Sequence, residues 1–138
     1  MNKPIKCLIS AGPTREWIDD VRFISNPSSG KMGFELACVA KKMGFEVTLV
    51  SGPVSIPRPD GVIYKSVETA IEMREVLVKL FPQSSLAIMT AAVSDHRPEF
   101  LGKKKVKKDE FPSSLKFIRN PDILKELSLI HISEPTRL

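Results

Sequence analysis

Ser25-Asn26-Pro27-Ser28-Ser29-Gly30-Lys31-Met32-Gly33 joins two contrasting patterns in the chain. Before it, the short apolar run Cys7-Leu8-Ile9 ends in Ser10-Ala11-Gly12-Pro13-Thr14. After it, Phe34, Leu36, Ala37, Val39, Ala40 and Met43 recur at helical spacing. A polar loop with glycines between a buried strand and a helix is where α/β sheets bind phosphates. Free backbone N–H groups and the helix dipole both favour negative charge there. Gly30 and Gly33 let the backbone approach a ligand or a strand closely. The spacing is neither G-x-x-x-x-G-K-[ST] nor G-x-G-x-x-G. An ordinary strand-to-helix turn with a serine cap accounts for the same residues.

Outward from this loop the chain alternates strand and helix signals. Lys6 to Ser10 reads as the first strand, and Gly30 to about Lys42 as a helix ending near Gly44. Glu46 to Ser51 and the shorter Val62 to Ser66 read as strands, separated by a loop rich in proline and glycine. Glu68 to Phe81 reads as a second helix with Ile71, Val76, Leu77 and Leu80 on its apolar face. Leu86-Ala87-Ile88-Met89 is a continuous apolar run suited to a central parallel strand. The order β-α-β-β-α-β predicts an α/β, Rossmann-like three-layer fold with a mainly parallel sheet. Ligands on such sheets sit outside the carboxyl ends of the strands, so the loops after the first and last strands share a crevice.

Composition narrows the class. The 138 residues suffice for one domain with a core; 42% are hydrophobic and 27% charged, as in globular proteins. No apolar run approaches the roughly 20 residues that span a bilayer, and the N-terminus lacks a signal-peptide core. A cytoplasmic location is the default expectation, with no membrane partner. Cys7 and Cys38 lie outside any metal-ligand cluster and read as buried free thiols. The net charge of +5 is concentrated in Lys103-Lys104-Lys105-Val106-Lys107-Lys108. A local lysine cluster suits a polyanionic small molecule, and the run lacks the interleaved aromatics of a nucleic-acid binder.

The loop after Met89 carries further candidates. Thr90, Ala91 and Ala92 permit close packing on a base or sugar, and Asp95 is placed for a ribose hydroxyl or a metal-bound water. A loop ion pair with Arg97 or a lysine explains Asp95 equally well. His96 carries no specific signal. Asn120 reads as an N-cap with Pro121 at the first helical position, which leaves the amides of Asp122 and Ile123 for an anion.

Taken in order, Ile9 to Glu16, Asp20 to Asn26, Ser28 to Gly33, Val47 to Pro53, Ala91 to Asp95, Lys105 to Lys108 and Asn120 to Ile123 resemble the bacterial phosphopantothenate–cysteine ligase family. The resemblance covers about Lys6 to Leu127. It implies a CTP-dependent ligase of coenzyme A biosynthesis. The carboxylate of 4′-phosphopantothenate attacks the α-phosphate of CTP, pyrophosphate leaves, and the amine of L-cysteine then displaces CMP. By resemblance Asn26 and Lys105 are the catalytic residues. Arg22, Ser28, Ser29 and Gly30 bind substrate. Gly12, Met89, Thr90, Ala91, Asp95, Lys105, Lys107, Lys108, Pro121, Asp122, Ile123 and Leu124 meet the nucleotide. An ion pair with Asp19 or Asp20 is the competing role for Arg22. The family also implies Mg2+, with no ligand set assigned, and a homodimer.

The chain departs from the family towards its end. The resemblance defines a partial domain over 5–128, truncated at its C-terminal end. Residues 129–138 do not resemble the family's continuation, which runs roughly a hundred residues further. A catalytically inactive nucleotide-binding module is therefore the alternative expectation. A dinucleotide-dependent dehydrogenase is disfavoured without G-x-G-x-x-G after the first strand.

Overall fold

The computed structural model describes residues 3–130. Four parallel strands form its sheet: β1 (Lys6–Ala11), β4 (Glu46–Ser51), β5 (Ile63–Ser66) and β6 (Leu86–Met89), in the order β5-β4-β1-β6. The Rossmann-like α/β expectation is met. Between β1 and the first helix lie two short strands, β2 (Glu16–Trp17) and β3 (Phe23–Ile24), paired as an antiparallel hairpin. A second hairpin, β7 (His96–Pro98) with β8 (Phe117–Arg119), carries the lysine-rich segment in its connection. The helices are α1 (Lys31–Lys42), α2 (Ala70–Leu80) and α3 (Ile123–Ile130), with a 3-10 turn over Phe81–Gln83.

Alternation along β1 divides the core into two layers. Cys7, Ile9 and Ala11 face α1 with Val47 and Leu49, meeting Phe34, Ala37 and Ala40. Leu8 and Val50 face the opposite side, where Met73 and Leu77 of α2 pack with Ile123 and Leu127 of α3. A strand covered on both faces must be apolar throughout, which is why β1 reads as a continuous run. Two links fix α2 and α3. The buried Glu16 carboxylate accepts from the Ala70 amide at 3.1 Å, at the α2 N-terminus, where Thr69 and Glu72 also form a capping box. The Arg74 Nε donates to Glu126 at 2.7 Å and ties α2 to α3.

Several expectations need correction. β6 is not central: among the described residues β1 pairs with both β4 and β6, and β6 is the edge strand with Leu86 41% exposed. An apolar run reports coverage of a strand's faces and says nothing about whether both its edges are paired. On α1, Val39 and Met43 are exposed, and so is Cys38, which lies one residue round the helix from the buried Ala37. A single residue step turns the helix by about 100°, enough to carry the thiol into solvent. Cys7 is buried as expected, and that burial pushes its thiol pKa up. On α2 the buried residues are Ala70, Met73 and Leu77, while Ile71 is exposed. The helix α3 continues through Ile130; the rest of the tail, 131–138, lies outside the described residues.

Candidate active site

The loops after β1 and β6 are laced together at the carboxyl end of the sheet. The Thr90 hydroxyl donates to the Ser10 carbonyl at 2.6 Å, and the Ala91 amide to the Ser10 hydroxyl at 3.3 Å. The Ala92 amide donates to the Gly12 carbonyl at 2.8 Å, and the Ser94 amide to the Thr14 hydroxyl at 3.0 Å. Asn26 joins the same seam: its Nδ2 donates to the Ala92 carbonyl at 2.8 Å, and its Oδ1 accepts from the Ser28 amide at 3.1 Å. Asn26 and the 90–95 loop thus stand on one side of the sheet, in one crevice. Gly12 is buried behind the seam at φ 78, with Val54 and Ser51 packed close against it.

One cavity of about 450 Å³ opens between the 90–95 loop and the start of α3. Met89, Ala91 and Asp95 form one wall, and Pro121, Asp122, Ile123 and Leu124 the other. Its floor includes Ser10, and Arg119 and His96 stand at its sides. The wall is held by Asn120, which is buried. Its Nδ2 donates to the Ser94 carbonyl at 2.8 Å and its Oδ1 accepts from Arg97 at 2.9 Å. Asn120 is therefore a brace and not a helix cap. The cap is Asp122, whose Oδ1 accepts from the Lys125 amide at 3.1 Å, and the helix begins at Ile123 rather than Pro121. A buried amide is better spent on two partners than on one exposed helix end.

A second cavity, about 550 Å³, is lined by Asn26 itself and includes Arg15, Ser25, Ser28 and Ser29. Ser28 and Ser29 also border a smaller hollow of about 270 Å³ with Gly30, Lys31 and Thr90, at the N-terminus of α1. Gly30 caps that helix at φ 79 with no side-chain hydrogen bond, and no acidic residue occupies the first turn. The Ser29 hydroxyl reaches only the Lys31 amide, at 3.3 Å. Such an end favours an anion. Gly33 is required by packing: a Cβ there would meet the Ala11 Cβ at 2.5 Å and the Thr90 Oγ1 at 2.6 Å.

Not every expected residue lines a cavity. Lys105, Lys107 and Lys108 are exposed and stand outside these hollows. Arg22 makes its hydrogen bonds through Nη1, to the Asp19 carboxylate and to the Val106 carbonyl, while its guanidinium lies 4.7 Å from the centre of the Phe111 ring. An ion pair with Asp19 was the competing reading for Arg22, yet the carboxylate proves buried, not superficial. Burial by itself would raise the Asp19 pKa. Hydrogen bonds from the Val21, Val106 and Arg22 amides and the Arg22 guanidinium outweigh it and lower the pKa from 3.8 to about 2. Arg15 is the residue sequence reasoning passed over. Its guanidinium stacks 4.5 Å from the Phe23 ring centre, at the second cavity. Its position directly after Thr14, in the first crevice loop, was the available signal.

A parallel sheet with a cavity bounded by the loops at its strands' carboxyl ends defines an α/β domain of Rossmann-like type with a ligand crevice. The chain belongs to the family described as the DNA/pantothenate metabolism flavoprotein C-terminal domain, whose family model matches residues 3–136. It is 42% identical over 132 residues to the coenzyme A biosynthesis bifunctional protein CoaBC of Vibrio cholerae, covering 94% of this chain and 33% of that protein. The protein of the same name from Escherichia coli K12 is 43% identical over 138 residues, covering 96% and 34%. The chain thus spans about a third of the length of these relatives. Among solved structures, the C-terminal domain of CoaBC matches with a TM-score of 0.80 and 41% identity, over 91% of this chain and 59% of that one. A mutant of Cab2 in complex with phosphopantothenate-cysteine shares the fold at a TM-score of 0.70 and 18% identity, over 89% and 59%.

Proposed function

We propose that this chain works as the phosphopantothenate–cysteine ligase portion of coenzyme A biosynthesis, with CTP as the activating nucleotide. The observation that carries the reading is the Asn26 bridge. One side chain, which lines the cavity suited to an anionic acyl substrate, donates to Ala92 in the loop whose neighbouring residues wall the cavity suited to a nucleotide. In this reading Met89, Ala91 and Asp95 face Pro121 to Leu124 across the base and ribose. Ser28, Ser29 and Gly30, with Arg15, receive the phosphorylated acid. The triphosphate runs between them past Thr90 and the N-terminus of α1.

The chemical problem is to bring a carboxylate onto a phosphoryl group while both carry negative charge. The carboxylate oxygen attacks the α-phosphorus, the bond to the β-phosphate oxygen breaks, and pyrophosphate leaves. The cysteine nitrogen then attacks the acyl carbon, expelling CMP and losing a proton. Asn26 suits both steps. It spends one N–H on Ala92 and retains a second for an acyl or phosphoryl oxygen, without adding charge. The outer edge of Arg22 and the lysines around Val106 supply cations at the approach to the crevice. Among the described residues no cluster of three or more His, Cys, Asp or Glu side chains forms a ready-made metal site. A magnesium ion would arrive with the triphosphate, whose oxygens and water would supply most of its ligands, and no side chain among the described residues is assigned to it. Such an ion supplies charge neutralisation on the phosphates.

The reading extends to a homodimer. Val21, Phe23, Phe117 and Ile118 of the two hairpins are exposed apolar residues, the composition of a surface that is covered in an assembly. No helix among the described residues is long and apolar enough to cross a membrane, and the cytoplasm is the compartment proposed. The test is pyrophosphate release from CTP. The account expects release only when 4′-phosphopantothenate is also present, and product only after L-cysteine is added. CTP binding with no release under any combination would instead favour an inactive nucleotide-binding module.

A further inference from the structure

The lysine-rich segment between β7 and β8 is exposed; the Leu101 amide before it donates to the Ile18 carbonyl at 2.7 Å, and within it the backbone of Val106 is tied to the first hairpin. The Val106 amide donates to Asp19 Oδ2 at 3.1 Å, and the Val106 carbonyl accepts from Arg22 Nη1 at 3.2 Å. The same carboxylate accepts from the Val21 amide at 2.9 Å and the Arg22 amide at 2.8 Å through Oδ1, and from the Arg22 guanidinium through Oδ2. Asp19 is fully buried, so all of its hydrogen-bonding capacity is used within the protein. The Arg22 guanidinium lies over Phe111, further along the segment. The Asp19–Val106 contact joins residues 87 positions apart, between the turn of the first hairpin and the connection of the second.

A buried carboxylate is costly unless every lone pair is satisfied. Here one of its partners comes from a surface loop whose lysine side chains make no contact that would hold it. Loops of this kind are otherwise the mobile parts of a fold. We infer that Asp19 is a positioning residue: together with Arg22 it pins the backbone at Val106, and so fixes where Lys105 and Lys107 stand relative to the nucleotide phosphates. The role in turnover rests on the ligase reading above; the pinning does not.

Two measurements test this separately. The first is amide hydrogen exchange by NMR on the whole chain. The Val106 amide should exchange at least about tenfold more slowly than those of Lys105 and Lys107 after correction for intrinsic rates, and Asp19→Asn should abolish the difference. Should that variant fail to fold, Val106→Pro removes the same hydrogen bond from the loop side. It should lower the backbone 15N order parameters of Lys105 and Lys107 while leaving those of the β1 residues unchanged. Equal exchange at the three positions in the unaltered chain overturns the pinning. The second is a double-mutant cycle on pyrophosphate release. Asp19→Asn should lower the rate about tenfold alone and less than about twofold in a Lys105→Gln background, because both changes disable one lysine. Equal effects in the two backgrounds would mean that Asp19 supports only the fold, and overturn the positioning role. If the unaltered chain releases no pyrophosphate, the ligase reading and the positioning role that depends on it both fail, while the exchange result still decides the pinning.

Discussion

Gly33→Ala adds one methyl group where α1 packs closely on the end of β1. The new Cβ would lie 2.5 Å from the Ala11 Cβ and 2.6 Å from the Thr90 Oγ1. Carbon atoms pack at about 3.5–4.0 Å, so α1 must retreat by roughly 1 Å or more. Neither neighbour yields easily. Ala11 is wholly buried at the end of the central strand, and the Thr90 hydroxyl is held by its hydrogen bond to Ser10. Overpacking costs about 1–3 kcal/mol in general, and two contacts this short on unyielding neighbours place it in the upper part of that range, about 2–3 kcal/mol. Replacing a helical glycine by alanine returns about 1 kcal/mol of helix propensity. The net expectation is a loss of about 1–2 kcal/mol, which for a domain of this size lowers Tm by about 3–8 °C. Thermal unfolding followed by circular dichroism, with urea midpoints as a second measure, gives the answer. The same retreat shifts Thr90 and should weaken nucleotide binding. A variant as stable as the parent, or more stable, would refute the argument that Gly33 is there for close packing.

Two further outcomes follow from the charges. Asp19 has a pKa lowered to about 2 in the folded protein. Its stabilising contribution is therefore fully present above its unfolded pKa of about 3.9 and is lost as pH falls towards 2. In urea titrations Asp19→Asn should be much less stable than the parent at pH 5, with the gap narrowing steadily below about pH 4 and closing only below about pH 2; a gap that does not change with pH would contradict the assignment. Arg15→Gln removes the cation at the second cavity, so KM for 4′-phosphopantothenate should rise about tenfold, the typical worth of one charge-assisted hydrogen bond, with kcat little changed. An unchanged KM would remove Arg15 from the substrate site.

The parallel sheet was legible because its inner strands β1 and β4 are buried on both faces and its first helix starts at an unmistakable glycine-containing loop. The position of β6 was not, since apolarity records faces and not edges. The short hairpins β2–β3 and β7–β8 escaped notice because strands of two or three residues leave no period to detect. At the crevice, Asn26, Asp95 and the Pro121 to Leu124 wall were marked by ordered motifs. Their partners were not. The hold of Asn120 on Ser94 and of Asp19 on Val106 depends on contacts between residues 26 and 87 positions apart, which no local spacing encodes, whereas the Asp19–Arg22 pair, three residues apart, was within reach of the sequence. Glu16 shows the same limit: it stands within a recognisable motif, yet its contact at the α2 N-terminus appears only once the chain is folded.

The central claim is that Asn26 serves the acyl-transfer chemistry at the seam of the crevice loops. Single-turnover formation of acyl-cytidylate from CTP and 4′-phosphopantothenate, compared between the parent chain and Asn26→Asp, tests it most directly. An ionised aspartate cannot donate a hydrogen bond and places negative charge beside a phosphoryl group. Loss of one such donor costs on the order of 3 kcal/mol in the transition state, so the rate should fall at least about a hundredfold. CTP affinity, set by the other wall of the crevice, should change far less. If Asn26→Asp forms and consumes the acyl-cytidylate at the parent rate, Asn26 only ties Ser28 to Ala92, and the catalytic assignment is wrong.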